Sequence, residues 1–210
     1  MYFAGSILMQ VNYIAEPFPH AIIDNFYDIP ELSAVWRELD FLTHPDKLQD
    51  EKTTGSAFYK DGTLAKKNFG LYLDQTYSGD RNISDILKLG RKIFKPEILT
   101  FLQEKHWMFK YVAGSTKDNM LLSYYEDKNN YNTHIDMCSM TSLVHLFRQP
   151  KKFDGGDLVF TEFDYTLSVK NNRCILFPSK IEHAVTPVVL PEEEKMTGNG
   201  RYCISHFFHC

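Results

Sequence analysis

Four residues of this chain have the types and the order to hold a metal ion beside a small dianion: His134 and Asp136 of the triplet His134-Ile135-Asp136, then His183, then Arg201. Residues two apart on a β-strand point to one face, so His134 and Asp136 can reach one ion together. A third ligand must come from another strand. His183 lies in Pro178-Ser179-Lys180-Ile181-Glu182-His183-Ala184-Val185, just after the apolar run Cys174-Ile175-Leu176-Phe177, and so falls at a strand start. Two imidazoles and one carboxylate on one face form the facial triad of non-haem Fe(II) sites, which leaves further positions open. A bidentate 2-oxo acid would fill two of these and dioxygen a third, and the far carboxylate of the acid then needs a fixed cation. Arg201 opens the partly alternating run Tyr202 to Phe208, and its planar fork pairs bidentately with a carboxylate.

The triplet alone carries little. A chain with eight histidines yields His-x-Asp by accident, and the plain reading is a surface or core-edge histidine beside a solvated carboxylate. A strand-placed distal histidine and a strand-placed arginine in the right order shift the balance toward a metal site.

A second pattern shifts it further. Tyr124-Tyr125 precede His134-Ile135-Asp136, followed by the turn Asp154-Gly155-Gly156-Asp157-Leu158-Val159-Phe160, then Arg173-Cys174-Ile175-Leu176-Phe177, His183-Ala184-Val185-Thr186-Pro187-Val188 and Gly200-Arg201-Tyr202. In these residues the segment from about Leu121 to Phe208 resembles the prolyl 4-hydroxylase-like branch of the 2-oxoglutarate and Fe(II)-dependent dioxygenases. The opening Pro17-Phe18-Pro19-His20-Ala21-Ile22-Ile23-Asp24-Asn25-Phe26 is similar to the usual entry to that family.

The resemblance implies that His134, Asp136 and His183 hold iron, that Arg201 holds the far carboxylate of 2-oxoglutarate, and that Tyr124 donates a hydrogen bond to the same co-substrate. It gives His145 either a further co-substrate contact or the role of a hydrogen-bonded core histidine. It implies Fe(II), 2-oxoglutarate and dioxygen, with ascorbate as a candidate auxiliary reductant. The reaction implied is oxidative decarboxylation of 2-oxoglutarate to succinate and carbon dioxide, coupled to hydroxylation of an unactivated C–H bond. The target expected is a prolyl residue of a peptide or protein. The alternatives are a free amino acid or other small metabolite, or a metal-binding jelly roll without turnover. Two departures stand out: a polar insert, Pro191 to Asn199, lengthens the stretch from His183 to Arg201, and Cys203 stands where a small hydroxyl residue is common, leaving Ser205 or Thr186 as helpers.

Composition sets the frame for these residues. A chain of 210 residues with 43% hydrophobic content can bury a sizeable core as one domain, residues 1–210. A net charge of −4 argues against a nucleic-acid partner, the lysines of 47–68 and Lys151-Lys152 being a modest basic supply. No run of eighteen apolar residues occurs, and the opening Met1 to Met9 has no basic leader, so a soluble, cytoplasmic protein is expected without a membrane partner. Cys138, Cys174, Cys203 and Cys210 show no Cys-x-x-Cys spacing and are read as free thiols. Cys138 is either near the metal or a packing thiol, and His206, His209 and Cys210 read as a chain end rather than a second metal site.

The elements that must position the site fall into two halves, 1–106 reading as helical support with a candidate lid and 107–210 as a jelly-roll core. Pro30 to Leu39 has Pro at a helix entry, Asp28 as a cap and apolar residues at three- and four-residue steps. Further helical stretches are expected from Asn82 through Phe94 and from Pro96 through Leu102. After Trp107, short apolar runs separated by Gly, Asn, Asp and Pro imply an antiparallel sandwich or barrel. The expected class is α+β, mainly β, and the family implies a double-stranded β-helix, or jelly roll, with N-terminal supporting helices. Lys47 to Asn68, with five lysines, is either a lid that orders on binding or a simple surface loop. Tyr131 and Asn132 lead into the triad strand and are expected to line the substrate entrance.

Overall fold

A computed structural model describes residues 8–44, 46–54 and 62–210. Among them, fourteen strands run in chain order as β1 (Gln10–Ile14), β2 (His20–Asp24), β3 (Lys66–Lys67), β4 (Phe69–Tyr72), β5 (Lys117–Tyr125), β6 (Asn130–His134) and β7 (Met140–Leu146), then β8 (Asp154–Gly155), β9 (Leu158–Phe160), β10 (Tyr165–Leu167), β11 (Arg173–Pro178), β12 (His183–Val185), β13 (Val188–Val189) and β14 (Arg201–His209). The helices are α1 (Ile29–Leu42), α2 (Leu73–Thr76), α3 (Asp85–Gly90), α4 (Pro96–Lys105) and α5 (Lys110–Ala113).

The strands form an antiparallel seven-stranded sheet in the order β1-β2-β11-β7-β14-β5-β4 and a five-stranded sheet in the order β10-β9-β12-β6-β3, with β13 paired to β8. Parity along the central strands decides which layer each side chain joins. Tyr202, Ile204 and Phe208 of β14, with Leu122 and Tyr124 of β5, join an apolar cluster with Val35 and Leu39 of α1 and Leu102 of α4. Cys203, Tyr125, Leu143, Ile175 and Phe177 turn the other way and pack with Phe160, Leu158 and Val185 of the smaller sheet. Both faces of the large sheet are therefore covered, and β7 is buried at every position.

Local chemistry explains the first helix. The Asp28 side chain accepts from the Glu31 backbone while Glu31 returns a bond to the Asp28 backbone, and Pro30 sits in the first turn. Val35, Leu39 and Leu42 then recur at one-turn spacing and are buried. The stretch from Asn82 to Phe94 is not one helix. Ser84 accepts from Leu87 N–H at 3.0 Å and so restarts the chain as the cap of α3, after a short 3₁₀ turn and before another. None of the described helices is long and apolar enough to cross a membrane.

The pairing runs across residue 106. β2 pairs with β11, β4 with β5 and β3 with β6, so the first half supplies strands to both sheets as well as helices. Those strands are short, and their partners lie far along the chain, so no local pattern marks them. The run Ala184 to Leu190 is likewise two strands, broken where Thr186 N–H bonds Asp157 O and Pro187 offers no donor. Residues 55–61 of the candidate lid lie outside the described residues, as do residues 1–7. The flanks of that stretch are built into the fold, with Gln49 bridged to Gly70 and Thr54, Lys66 and Asn68 buried.

Two substitutions measure how the helical layer supports the sheet. Leu39→Ala, which empties a fully buried position against the large sheet, is expected to lower stability by roughly 2–5 kcal/mol. Asp28→Ala, which removes only the cap, is expected to cost about 1 kcal/mol. Urea denaturation of both variants checks the order of the two effects.

Candidate active site

His134 ends β6 and His183 opens β12, and the two residues pair directly across these strands. Asp136 lies beyond the strand end, where its N–H bonds Ser179 O at 2.9 Å. The strand alternation that suggested the His134–Asp136 pair thus stops at His134, and a bond from outside the strand sets the carboxylate. One donor atom from each residue lies within 4.8 Å of the others, the one such group of three among the described residues. Asp136 Oδ1 is 3.8 Å from His134 Nε2, and Oδ2 is 3.5 Å from His183 Nε2.

The surroundings of each donor favour metal binding. His134 Nδ1 lies 2.8 Å from Asn132 O and His183 Nδ1 lies 2.9 Å from Ile181 O, so each Nδ1–H donates to backbone and each Nε2 keeps its lone pair. Burial, aided by the neighbouring His183, pushes His134 down to about 3, leaving it neutral, the form that ligates. Thr141 Oγ1 donates to Asp136 Oδ2 at 2.7 Å and orients the carboxylate. A nitrogen, nitrogen, oxygen set of this kind suits Fe(II).

Arg201 lies deeper in the same cavity, which is about 300 Å³ in volume. Its side chain is fully buried, yet among the described residues no carboxylate pairs with it. Nη2 meets His145 Nε2 at 3.0 Å, the guanidinium sits 4.8 Å over the Tyr125 ring, and Nε and Nη1 have no partner. Burial, with the Arg201 charge beside it, holds His145 well below its ordinary range, so it accepts as a neutral imidazole. An isolated buried cation carries a desolvation penalty of several kcal/mol until an anion reaches it. The orphaned N–H groups therefore fit the carboxylate of an acid such as 2-oxoglutarate.

The turn Asp154 to Asp157 makes room for that arginine. Gly156 has φ +73°, and a Cβ there would lie 2.8 Å from Arg201 Cδ. Gly155, at φ +68°, would bring a Cβ to 2.1 Å from Pro187 O. Both positions demand glycine for conformation and for space.

The structure relocates several expected site residues. Tyr124 is not in the cavity. It pairs with Tyr202 in the strand register, faces the helices and donates to Glu126 Oε2 at 2.8 Å, whereas Tyr125, paired with Arg201, lines the cavity. Strand parity puts adjacent tyrosines on opposite faces. His145 is not a cavity-lining residue; it stands behind Arg201, diagonal to it through its pairing with Cys203. Tyr131 lines the cavity and stacks on His134, with ring centroids 3.6 Å apart and planes at 10°. Asn132 does not line it; the side chain donates to Leu64 O at 3.2 Å on the outer side. A register shift between β6 and β12 puts Tyr131 and His134, three residues apart, on one face.

The other basic residues are engaged elsewhere. Arg173 binds Asp24 through two bonds, and Lys180 is exposed with its amine on Asp136 O. Ser205, Cys138 and Cys203 line the cavity, whereas Thr186 accepts from Asp157 N–H in the turn. His206 bonds Asp118 and His209 bonds Asn119, and His209 also lines the cavity.

Sequence reasoning did not single out Tyr125 or Thr141, and it reached Lys66 and Asn68 only as the end of the Lys47 to Asn68 candidate lid. Parity with Arg201 could have found the first two, because Thr141 and Leu143 share a face of β7 with His145. Lys66, and Asn68 just beyond β3, come to the cavity where β3 pairs with β6.

Residues 120–209 match the family model of the 2OG-Fe(II) oxygenase superfamily. No curated protein matches this chain. Among solved structures, the chain is similar to a prolyl-4-hydroxylase from Pseudomonas putida, at 14% identity over 90% of this chain and 91% of that one, with a TM-score of 0.57. It is similar to an oxidoreductase of the 2OG-Fe(II) oxygenase family from Burkholderia pseudomallei, at 13% identity over 90% and 84% of the two chains, with a TM-score of 0.55. A third likeness is to the non-heme alpha-ketoglutarate-dependent epimerase SnoN from nogalamycin biosynthesis, at 11% identity over 90% and 76%, with a TM-score of 0.54. These likenesses establish the jelly-roll fold, and the superfamily implies Fe(II), 2-oxoglutarate and dioxygen. The matched segment runs through β14 and contains His134, Asp136, His183 and Arg201.

Proposed function

We propose that the protein is an Fe(II)- and 2-oxoglutarate-dependent dioxygenase that hydroxylates a C–H bond of a prolyl residue in a peptide or protein. His134, Asp136 and His183 are the metal ligands, and Arg201 holds the far carboxylate of the co-substrate with Tyr125 beside it. The observation that carries this reading is the fully buried Arg201, with two N–H groups unpartnered, in the same cavity as the His-Asp-His donors.

Bound iron with its co-substrate and dioxygen supplies the oxidising power that replaces C–H by C–OH while 2-oxoglutarate becomes succinate and carbon dioxide. The chain's own residues set the geometry. The backbone carbonyls of Asn132 and Ile181 fix both imidazoles, and Thr141 fixes the carboxylate, so the ligand set is oriented before metal arrives. Arg201 sets the orientation of the co-substrate by a bidentate contact. Leu121, Leu143, Val185 and Phe207 line the cavity with apolar surface that displaces water.

The prolyl target is supported by the motif resemblance and by the likeness to a prolyl-4-hydroxylase fold. A free amino acid or small metabolite is the second reading, favoured by a cavity of about 300 Å³, the low end of ligand pockets.

Anaerobic titration with Fe(II) and 2-oxoglutarate is expected to give a weak visible charge-transfer band, and oxygen is then expected to give succinate. Asp136→Ala should lose both; unchanged succinate formation removes Asp136 from the ligand set. For Arg201→Met, loss of one member of a buried charge pair, roughly 2–5 kcal/mol, should raise the 2-oxoglutarate Kd about 30-fold or more. Thr141→Val keeps the shape but not the hydrogen bond, and is expected to weaken Fe(II) binding roughly 10–100-fold in the same titration. The two tyrosines separate cleanly: Tyr125→Phe should raise the 2-oxoglutarate Kd and Tyr124→Phe should not, the reverse result restoring Tyr124 to the co-substrate.

A further inference from the structure

The cavity holds a second cation that the co-substrate does not use. Lys66 lines it at 4% exposure. Its amine sits 5.7 Å from the centre of the Tyr131 ring, which in turn stacks on the His134 imidazole. Lys66 is thus beside the proposed metal, on the wall that β3 adds to the smaller sheet. Among the described residues no salt bridge to this amine forms, although the Glu51 carboxylate acts on it favourably through its charge. The residue is buried and its charge borders the cavity without a salt bridge, so an anion entering the cavity is its natural partner.

On the same wall, two residues on, Asn68 is 2% exposed, lines the cavity and leaves its Oδ1 without a hydrogen-bond partner. Lys66 and Asn68 together offer a positive charge and an unfilled acceptor. Both carboxylates of 2-oxoglutarate are already accounted for, one at Arg201 and one at the metal. Among the described residues Lys66 is the one other cation of the lining besides Arg201, and a single ammonium matches a monoanion better than a phosphate dianion.

We propose that Lys66 binds a carboxylate of the primary substrate and Asn68 accepts an N–H or O–H from it, so that the enzyme selects a carboxylate-bearing substrate. This rests on the dioxygenase reading of the site and specifies its substrate class. The carboxylate can belong to the hydroxylated residue itself, as in a free amino acid, or to an acidic side chain next to it in a peptide.

The test uses the protein loaded anaerobically with Fe(II) and saturated with 2-oxoglutarate, so that Arg201 is filled. Calorimetric titration compares N-acetyl-L-amino acids, proline included, with the matching amides, and acetyl-prolyl-glutamate amide with acetyl-prolyl-glutamine amide. At least one carboxylate probe is expected to bind about tenfold or more tighter than its neutral match, in the range of a partly buried charge pair, and Lys66→Met should abolish the difference. Which pair shows it distinguishes the free acid from the acidic neighbour. Equal binding within every pair, no binding by any probe, or a preference that survives Lys66→Met overturns the proposal. Lys66→Met also removes an unpaired buried charge, so its thermal midpoint should equal or exceed that of the parent, and Lys66→Gln serves as a second neutral variant. The 2-oxoglutarate Kd separates the two readings. If it rises in Lys66→Met and not in Arg201→Met, the assignment of Arg201 fails instead, and Lys66 holds the co-substrate.

Discussion

A guanidinium with no carboxylate beside it has zero exposure at the start of β14, and much of the surrounding structure answers to that burial. Charge taken out of water must be met by dipoles, aromatic faces or an arriving anion. Here His145 supplies a neutral acceptor, Tyr125 an aromatic face and Gly156 the clearance for the aliphatic stem. Two N–H groups remain unfilled. A cation held this way is a preformed receptor for an anion, because the chain has already borne the cost of desolvating it when the ligand arrives.

The three candidate metal donors are governed by a different constraint, the direction of lone pairs. Both imidazoles give their Nδ1–H to the carbonyl two residues earlier, which turns both Nε2 atoms inward across the β6–β12 pair. The carboxylate has no strand to hold it. It is set instead by its own N–H on Ser179 O and by Thr141, so the end of β11 and the start of β7 both act on the third ligand. The site is thereby joined to the large sheet at one side and to the small sheet at the other, and relative movement of the two sheets would disturb both the three donors and the surroundings of Arg201.

The first half of the chain has two separate parts in this arrangement. Its helices cover the face of the large sheet opposite the cavity, where Tyr124, Tyr202 and Phe208 meet α1 and α4 through a shared apolar cluster. Its short strand β3 instead closes one side of the cavity, bringing Lys66 and Asn68 next to residues more than sixty positions later. The helical cover and the cavity wall thus come from neighbouring segments on opposite faces. The His-Asp-His donors and Arg201 lie within the segment that matches the superfamily model, and the wall that carries Lys66 and Asn68 comes from a part of the chain outside it.

The type and order of His134, Asp136, His183 and Arg201 were legible in the sequence because metal and carboxylate chemistry restricts which side chains can serve, and because strand starts and turns leave apolar runs and Gly-Gly signals around them. The cap of α1 and the antiparallel character of the later half were legible for the same reason, each being set by neighbours within a few residues. Tertiary structure alone decided the rest. Which of Tyr124 and Tyr125 meets Arg201 depends on strand register, and a shift of one residue exchanges the faces. The position of Asn132 outside the cavity follows from an irregularity in the β6–β12 pairing, and the break at Ser84 follows from its bonds to Leu87 and Glu38. Lys66 and Asn68 reach the site only through pairing across more than sixty residues, where no local periodicity carries information about the partner. Chemistry and local hydrogen bonding are written in residue type and spacing, whereas register and long-range pairing are settled by the free energy of the whole packed chain.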